Sequence, residues 1–398
     1  MNPDLKQLQP YPFEKLNALK DGCQPAVEKH IALSIGEPKH DAPAFVLESI
    51  SNNLDQINRY PLTRGSISLR SAIVNWLNTR FKLADGALDA ERQVLPVTGT
   101  REALFSFAQC LIDREKDAVI LMPNPFYQIY EGAAYLSGAQ PVFYNTVKEN
   151  NYLPDFDAID EASWQRCQLI YVCTPGNPTG SVISKEQLCK LIELSLKYDF
   201  VIASDECYSE IYFDDNNPPT GLLEAAQSCG NHSFKNCIVF HSLSKRSNLP
   251  GMRSGFVAGD ADIIKSFLLY RTYHGCAMPP VHQFASAEAW NDEEHVIQNR
   301  AMYAQKFDAV IDILSDTISI TRPDAGFYLW LNTPNDDETF ARDLYAQQNV
   351  TVLPGSYLSR ESEGINPGKN HVRLALVAPL EECVTAAKRI KQYIQTII

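Results

Sequence analysis

Between about residues 90 and 260 the chain alternates short β-branched runs with amphipathic helical stretches, and this rhythm constrains the fold more than any other feature. RQVLPV, DAVILM, QPVFYN, QLIYVC, FVIASD, CIVFHS and SGFVAG are strand candidates. Among them REALFSFAQCLI, FYQIYEGAAYLSG and SKEQLCKLIELSLKY have the spacing of helices. Runs this apolar need cover on both faces, and parallel neighbours need long crossover connections. The pattern therefore predicts an α/β fold with a mostly parallel central sheet covered by helices. After about Pro280 it gives way to a long polar helical stretch, then short strands (ISITR, GFYLWL, HVRLAL) and the helix PLEECVTAAKRIKQYIQTI. This predicts a second, smaller α+β body. A length of 398 residues also exceeds the roughly 250–300 residues that one hydrophobic core usually supports. The expected division is an N-terminal arm (1–45) packing on the small domain, a large domain (46–280) and a small C-terminal domain (281–398).

Composition narrows the function classes. Net charge is 35 − 48 = −13, which disfavours a general nucleic-acid or anionic-membrane surface and requires any anionic ligand to be drawn into a local basic pocket. No apolar run approaches the ~18 residues needed to cross a bilayer. The amino terminus, MNPDLKQLQPYPFEKL, has neither the basic nor the apolar part of a secretory signal, so a cytoplasmic location is expected. Ten scattered cysteines without a CxxC pair suggest reduced thiols, and no metal site is expected.

Chemistry-bearing residues fall at the carboxyl ends of the strand candidates, where open α/β sheets bind ligands. CIVFHS runs into HSLSKRSNLPGMRSGF, which holds Ser242, Ser244, Lys245 and Arg253. Two hydroxyls and an arginine suit a phosphate while leaving the amine free; alone, the segment is equally a polar loop. TPGNPTG sets Asn177 between two prolines that stiffen the loop, though Pro, Gly and Asn are also common turn residues. FVIASDECYSEIYF ends an apolar strand on Asp205, with Tyr208 three residues on; a buried carboxylate there needs a partner, unless it simply caps the next element. LPVTGTREALF passes from strand through Gly99, Thr100 and Arg101 into a helix, where free backbone N–H groups form an anion site. Tyr127, in NPFYQIY, either presents a ring face to a planar heterocycle or belongs to the core. Independent turns would rarely place five such features in this order.

SLSKRSNLPGMRSG, TPGNPTG and SDECYSEIY, in this order, resemble the fold-type I, class I/II family of pyridoxal-5'-phosphate (PLP) dependent aminotransferases over nearly the whole chain. The resemblance implies that Lys245 holds PLP as a Schiff base and that Asp205 pairs with the protonated pyridine nitrogen. It implies that Asn177 and Tyr208 bond the phenolic oxygen, that Tyr127 stacks on the ring, and that Gly99, Thr100, Arg101, Ser242, Ser244 and Arg253 surround the phosphate. In NHVRLALVAPL, Arg373 matches the arginine that grips the substrate α-carboxylate, and in LSIGEPKHDAP, Gly36 offers its backbone to the same group. NRYPLTRGSISLRSAI matches a segment whose tyrosine, here Tyr60, reaches the phosphate of a neighbouring subunit, which implies a homodimer with shared active sites. Amino acids and 2-oxo acids are the implied substrates.

Within the family, QLQPYPFEKLNAL, KRSNLPGMRSGFVAGD and YRTYHGCAMPPVHQ resemble the bacterial branch that transaminates N-succinyl-L,L-diaminopimelate, with glutamate and 2-oxoglutarate as the second couple. A basic, roomy pocket is then expected, with Arg64 and Arg271 available for the distal carboxylate. No side-chain arginine of the aspartate-specific kind can be placed by motif. An aspartate, aromatic or N-acetylornithine-type transaminase, or a PLP-dependent carbon–sulfur lyase, would use the same cofactor residues. A PLP-binding transcriptional regulator would need an additional DNA-binding module, which is not expected here.

Overall fold

A computed structural model describes residues 1–398. All seven strand candidates of the alternating region form one sheet. Its spatial order is 94–97, 255–259, 237–242, 201–205, 167–173, 119–124 and 140–145. Every adjacent pair is parallel except the two made by 255–259. That strand runs the other way because only residues 243–254 connect it to 237–242, too few for a helical crossover. The reversal turns the chain back on itself at Lys245.

Five of these strands are buried at every position, so the sheet needs apolar cover on both faces. One cover includes Leu69, Ile73 and Leu77 of the helix Ile67–Arg80 with Leu188 and Leu191 of Lys185–Tyr198. The other includes Leu104 and Phe107 of Thr100–Leu111 with Ala133 and Ala134 of Ile129–Ser137. Burying one Leu or Phe contributes about 1.5–3 kcal/mol, which makes the sheet a rigid platform for whatever stands on its strand ends.

A smaller body has its own core, in which Phe307, Leu329, Leu374 and Ile390 pack together. Its antiparallel sheet pairs 353–354 with 371–375, and 371–375 with Tyr328–Asn332. The long helices Glu294–Leu314 and Leu380–Ile397 pack beside it. Ile31–Ala32 pairs in parallel with Val350–Thr351, joining the amino-terminal segment to this body, whereas the 3-10 turn Pro3–Gln7 lies on the helix Ile129–Ser137 of the large sheet's cover. The arm therefore touches both bodies. ISITR, expected as a strand, pairs with none: Ile318 and Ile320 tuck against the small core, and their alternation records that burial without any backbone partner. No helix is long and apolar enough to cross a membrane.

Candidate active site

The carboxyl ends of the large sheet, the small body and the amino-terminal segment enclose a cavity of about 560 Å³. Its wall includes Gly36, Thr100, Arg101, Tyr127, Asn177, Asp205, Tyr208, Ser242, Ser244, Lys245, Arg253 and Arg373. Of the positions singled out from sequence, Gly99 and Tyr60 are not in the wall. Gly99 lies beneath it: its φ is +100° and a Cβ there would sit 2.2 Å from Nη2 of Arg253, so only glycine lets that guanidinium lie against the start of the helix. Tyr60 is fully exposed on the surface. Arg64 pairs with Glu91 on the exterior, and Arg271 is fully buried against Glu102 and the carbonyl of Cys276. Neither arginine reaches the cavity, so neither serves a distal carboxylate from this subunit's wall.

Arg373, Asp205 and Lys245, the charged groups set deepest in the wall, make no ion pair. Arg373 is buried; Nη1 donates to Oδ1 of Asn177 at 2.9 Å and Nη2 to the carbonyl of Ser34 at 2.8 Å, while Nε has no partner at all. No carboxylate pairs with it. Asp205 accepts from the Tyr130 hydroxyl at 2.7 Å and from the Cys207 amide at 3.3 Å. Burial pushes its carboxyl above the usual range, while its bonds with Cys207 and Tyr130 pull the other way. Lys245 donates from Nζ to the carbonyl of Gly36 at 2.5 Å. Burial brings its amine down to about 8, with Cys207 and Glu37 opposing and Arg373 and Arg101 assisting. Leaving such groups unpaired in a folded interior is costly, and sites that bind charged ligands are where that cost is met.

The rest of the wall orients these groups. Nε of Arg101 donates to the Tyr127 hydroxyl at 2.7 Å, and the Tyr208 and Tyr328 hydroxyls are 3.0 Å apart. A Cβ on Gly36 would come within 2.0 Å of the Tyr328 hydroxyl, so this close approach of the amino-terminal segment also needs a glycine. Ser242 caps the short helix Leu243–Arg246 by accepting from the Ser244 amide at 3.1 Å, which fixes the turn that presents Lys245. Sequence reasoning missed Tyr130, Cys207, Tyr328 and the Tyr11–Pro12–Phe13 wall. Tyr130 had a signal, since it follows Tyr127 by about one helical turn. Away from the cavity, Glu102, His274 and Cys276 bring potential metal-ligating atoms within 4.8 Å of one another, but Glu102 is already engaged by the Arg271 guanidinium.

The lysine, acid and arginine of this cavity, carried on a fold of this type, define an enzyme acting on an amino acid through a bound aldehyde cofactor. Residues 28–390 match the family model for aminotransferases of class I and II, and the chain belongs to that family. It is an aminotransferase, and its family depends on PLP. It is similar to an aminotransferase from Neisseria meningitidis, whose structure has a TM-score of 0.94 at 48% identity, covering 99% of this chain and 100% of that one. For the aminotransferase AspB from Helicobacter pylori the TM-score is 0.90 at 36% identity, covering 98% and 99%. An LL-diaminopimelate aminotransferase of Dehalococcoides mccartyi is 30% identical over 385 residues, 95% of each chain. The residues present fit the cofactor: Asp205 is a buried acid without a cation, Lys245 an amine held near neutrality, and the glycine-backed Arg253 an exposed cation beside a helix start.

Proposed function

We propose that this enzyme transaminates N-succinyl-L,L-diaminopimelate, with glutamate and 2-oxoglutarate as the second couple. Amino-acid chemistry is carried by one observation: Arg373, buried, lacking an acidic partner and with an orphaned Nε, faces the same cavity as an amine near pKa 8. Two features favour the succinylated donor. Arg101, Lys245, Arg253 and Arg373 outnumber the wall's acids, Glu37 and Asp205, in a chain whose net charge is −13. Tyr11, Pro12 and Phe13, from one of the segments that resemble the succinyl-diaminopimelate branch, stand in the wall. The name of the Dehalococcoides relative favours a second reading, the free L,L-diaminopimelate.

Bound PLP supplies an aldehyde and a ring that accepts electrons. In the proposed site Lys245 would hold it covalently, Asp205 would pair with the ring nitrogen, Asn177 and Tyr208 would bond the phenolic oxygen, and Tyr127 would lie against the ring. The backbone N–H groups at Thr100 and Arg101, with Ser242, Ser244 and Arg253, hold the phosphate. Arg373 takes the substrate α-carboxylate, assisted by the backbone at Gly36. The Lys245 amine, brought down to about 8 chiefly by burial, would serve as the base that moves the substrate Cα proton. Residues 54–67 expose Leu54, Ile57, Tyr60, Leu62 and Ile67 in one short stretch, which supports a homodimer in which Tyr60 serves the partner's phosphate.

A half-reaction screen of the holoenzyme tests this, comparing N-succinyl-L,L-diaminopimelate with L,L-diaminopimelate, aspartate, tyrosine and N-acetylornithine. The expected result is the highest kcat/KM for the succinylated donor, with 2-oxoglutarate as acceptor. A preference for the free diamine replaces this reading with the second one. Release of pyruvate and ammonia from a cysteine conjugate would make the enzyme a lyase.

A further inference from the structure

One residue is tied at both ends to the same amino-terminal segment. The Lys245 side chain bonds the carbonyl of Gly36, and its own backbone carbonyl accepts from Nδ2 of Asn299 at 3.3 Å. Asn299 lies on the helix Glu294–Leu314 of the small body and also donates to the Arg246 carbonyl at 3.3 Å. Its Oδ1 meets Nδ2 of Asn248 at 2.9 Å and Nδ1 of His40 at 2.7 Å. Gly36 and His40 thus bracket the lysine turn from two points four residues apart, on the segment whose Ser34 carbonyl also holds Arg373.

The directions of these bonds fix one proton arrangement. An amide oxygen only accepts, so Nδ1 of His40 carries the hydrogen, and burial favours the neutral ring by holding its pKa below the ordinary value, so that Nε2 keeps its lone pair. Nζ of Lys306 donates to that lone pair at 2.5 Å. Lys306 is 2% exposed and has no carboxylate partner; its other acceptor is the Val377 carbonyl, at 3.4 Å, and Nζ stands 4.9 Å from the centre of the Tyr303 ring. Burial brings this amine down to about 8. None of His40, Asn299 and Lys306 lines the cavity.

We propose that His40, its tautomer set by Asn299 and its far nitrogen held by Lys306, is a positioning residue that docks segment 34–40 over the Lys245 turn through Asn299 and thereby governs capture of the substrate carboxylate. This rests on the reading of Arg373 and Gly36 as the carboxylate site. Because the network holds the segment and touches no reacting atom, its loss weakens ground-state capture and leaves the chemical step nearly intact.

The experiment uses holoenzyme, with glutamate for turnover and glutarate as a dicarboxylate that cannot react. His40→Phe keeps a planar ring without either hydrogen bond. It is expected to raise both the KM for glutamate and the Kd for glutarate about tenfold, the effect of losing one well-made hydrogen bond, while kcat changes less than about threefold. His40→Gln retains one donor and one acceptor and should stay close to wild type. His40→Phe combined with Asn299→Ala should be no worse than the poorer single variant, because both cut the same chain. Unchanged KM and Kd in His40→Phe, equal impairment of Phe and Gln, or multiplying effects in the double variant each overturn the proposal. Should His40→Phe fail to fold, the same KM and Kd in His40→Gln and Lys306→Met decide: glutamine near wild type with methionine impaired supports it, and any other pattern overturns it. If wild type neither converts glutamate nor binds glutarate, the reading of the cavity itself fails.

Discussion

The Lys245 amine, in protein freed of cofactor, should titrate far below a surface lysine. Burial is the leading cause of its fall from 10.5 to about 8, and the Arg373 and Arg101 guanidinium groups add to it against Cys207 and Glu37. The fall from 10.5 to about 8 corresponds to roughly 3 kcal/mol of preference for the neutral form. At pH 8 about half the Lys245 side chains would be neutral, against ~0.3% for an unperturbed lysine, or about 150-fold more free nucleophile. Competitive acetylation with trace acetic anhydride, quantified by mass spectrometry across pH 6–11, reads this directly, and exposed Lys82 serves as the internal standard. The Lys245 peptide should show a midpoint near pH 8, well below the 10.5 of an ordinary lysine. Arg373→Leu removes one of the charges that hold the amine neutral, so its midpoint should move upward. A Lys245 midpoint at about 10, or a downward move in Arg373→Leu, would refute the argument from burial and charge.

Three further outcomes are expected. On the proposed role of Arg373 as the carboxylate ligand, Arg373→Lys should lower kcat/KM about 10- to 150-fold, mostly through KM, because a point charge replaces two-pronged bonding worth roughly 1.5–3 kcal/mol; steady-state kinetics with the preferred donor checks it. Tyr130→Phe removes a donor that stabilises the Asp205 carboxylate, so the Asp205 pKa rises, and the acidic limb of the kcat–pH profile should move to higher pH while kcat falls about tenfold. Gly99→Ala forces a left-handed φ on a residue with a Cβ and drives that atom into Arg253. At a cost of about 1–3 kcal/mol, taken up by displacing Arg253, it should weaken PLP retention roughly 5- to 150-fold in equilibrium dialysis.

What was legible in the sequence follows from what a strand end determines. A run buried on both faces is nearly all apolar, so FVIASD and CIVFHS could be read as parallel strands, and once they are strands the residues after them stand at one edge of the sheet. Asp205, Ser242 and Lys245 are placed by that logic alone. ISITR misled because alternation reports which side chains are buried and says nothing about whether a neighbouring backbone is free to pair. Contacts between bodies leave no local pattern. Arg373 lies in the small sheet and Asn177 beside the large one, and their 2.9 Å bond exists only because two separately folded cores meet at this angle. Arg373 was therefore recoverable by family motif and not by periodicity, and His40 and Asn299 by neither. The same division explains Arg64 and Arg271: both follow helix or loop patterns that fix a backbone position without saying which surface the guanidinium meets, and one meets Glu91 on the exterior while the other meets Glu102 in the interior. A donor-specific residue would have to come from such a junction, where the wall is completed by Tyr11, Leu353 and Leu358, and by the exposed stretch around Tyr60 if a second subunit docks there. The cavity wall thus divides into residues placed by the large sheet alone, Asp205, Ser242 and Lys245 among them, and residues placed only where the separate bodies meet, such as Tyr11, Leu353 and Arg373.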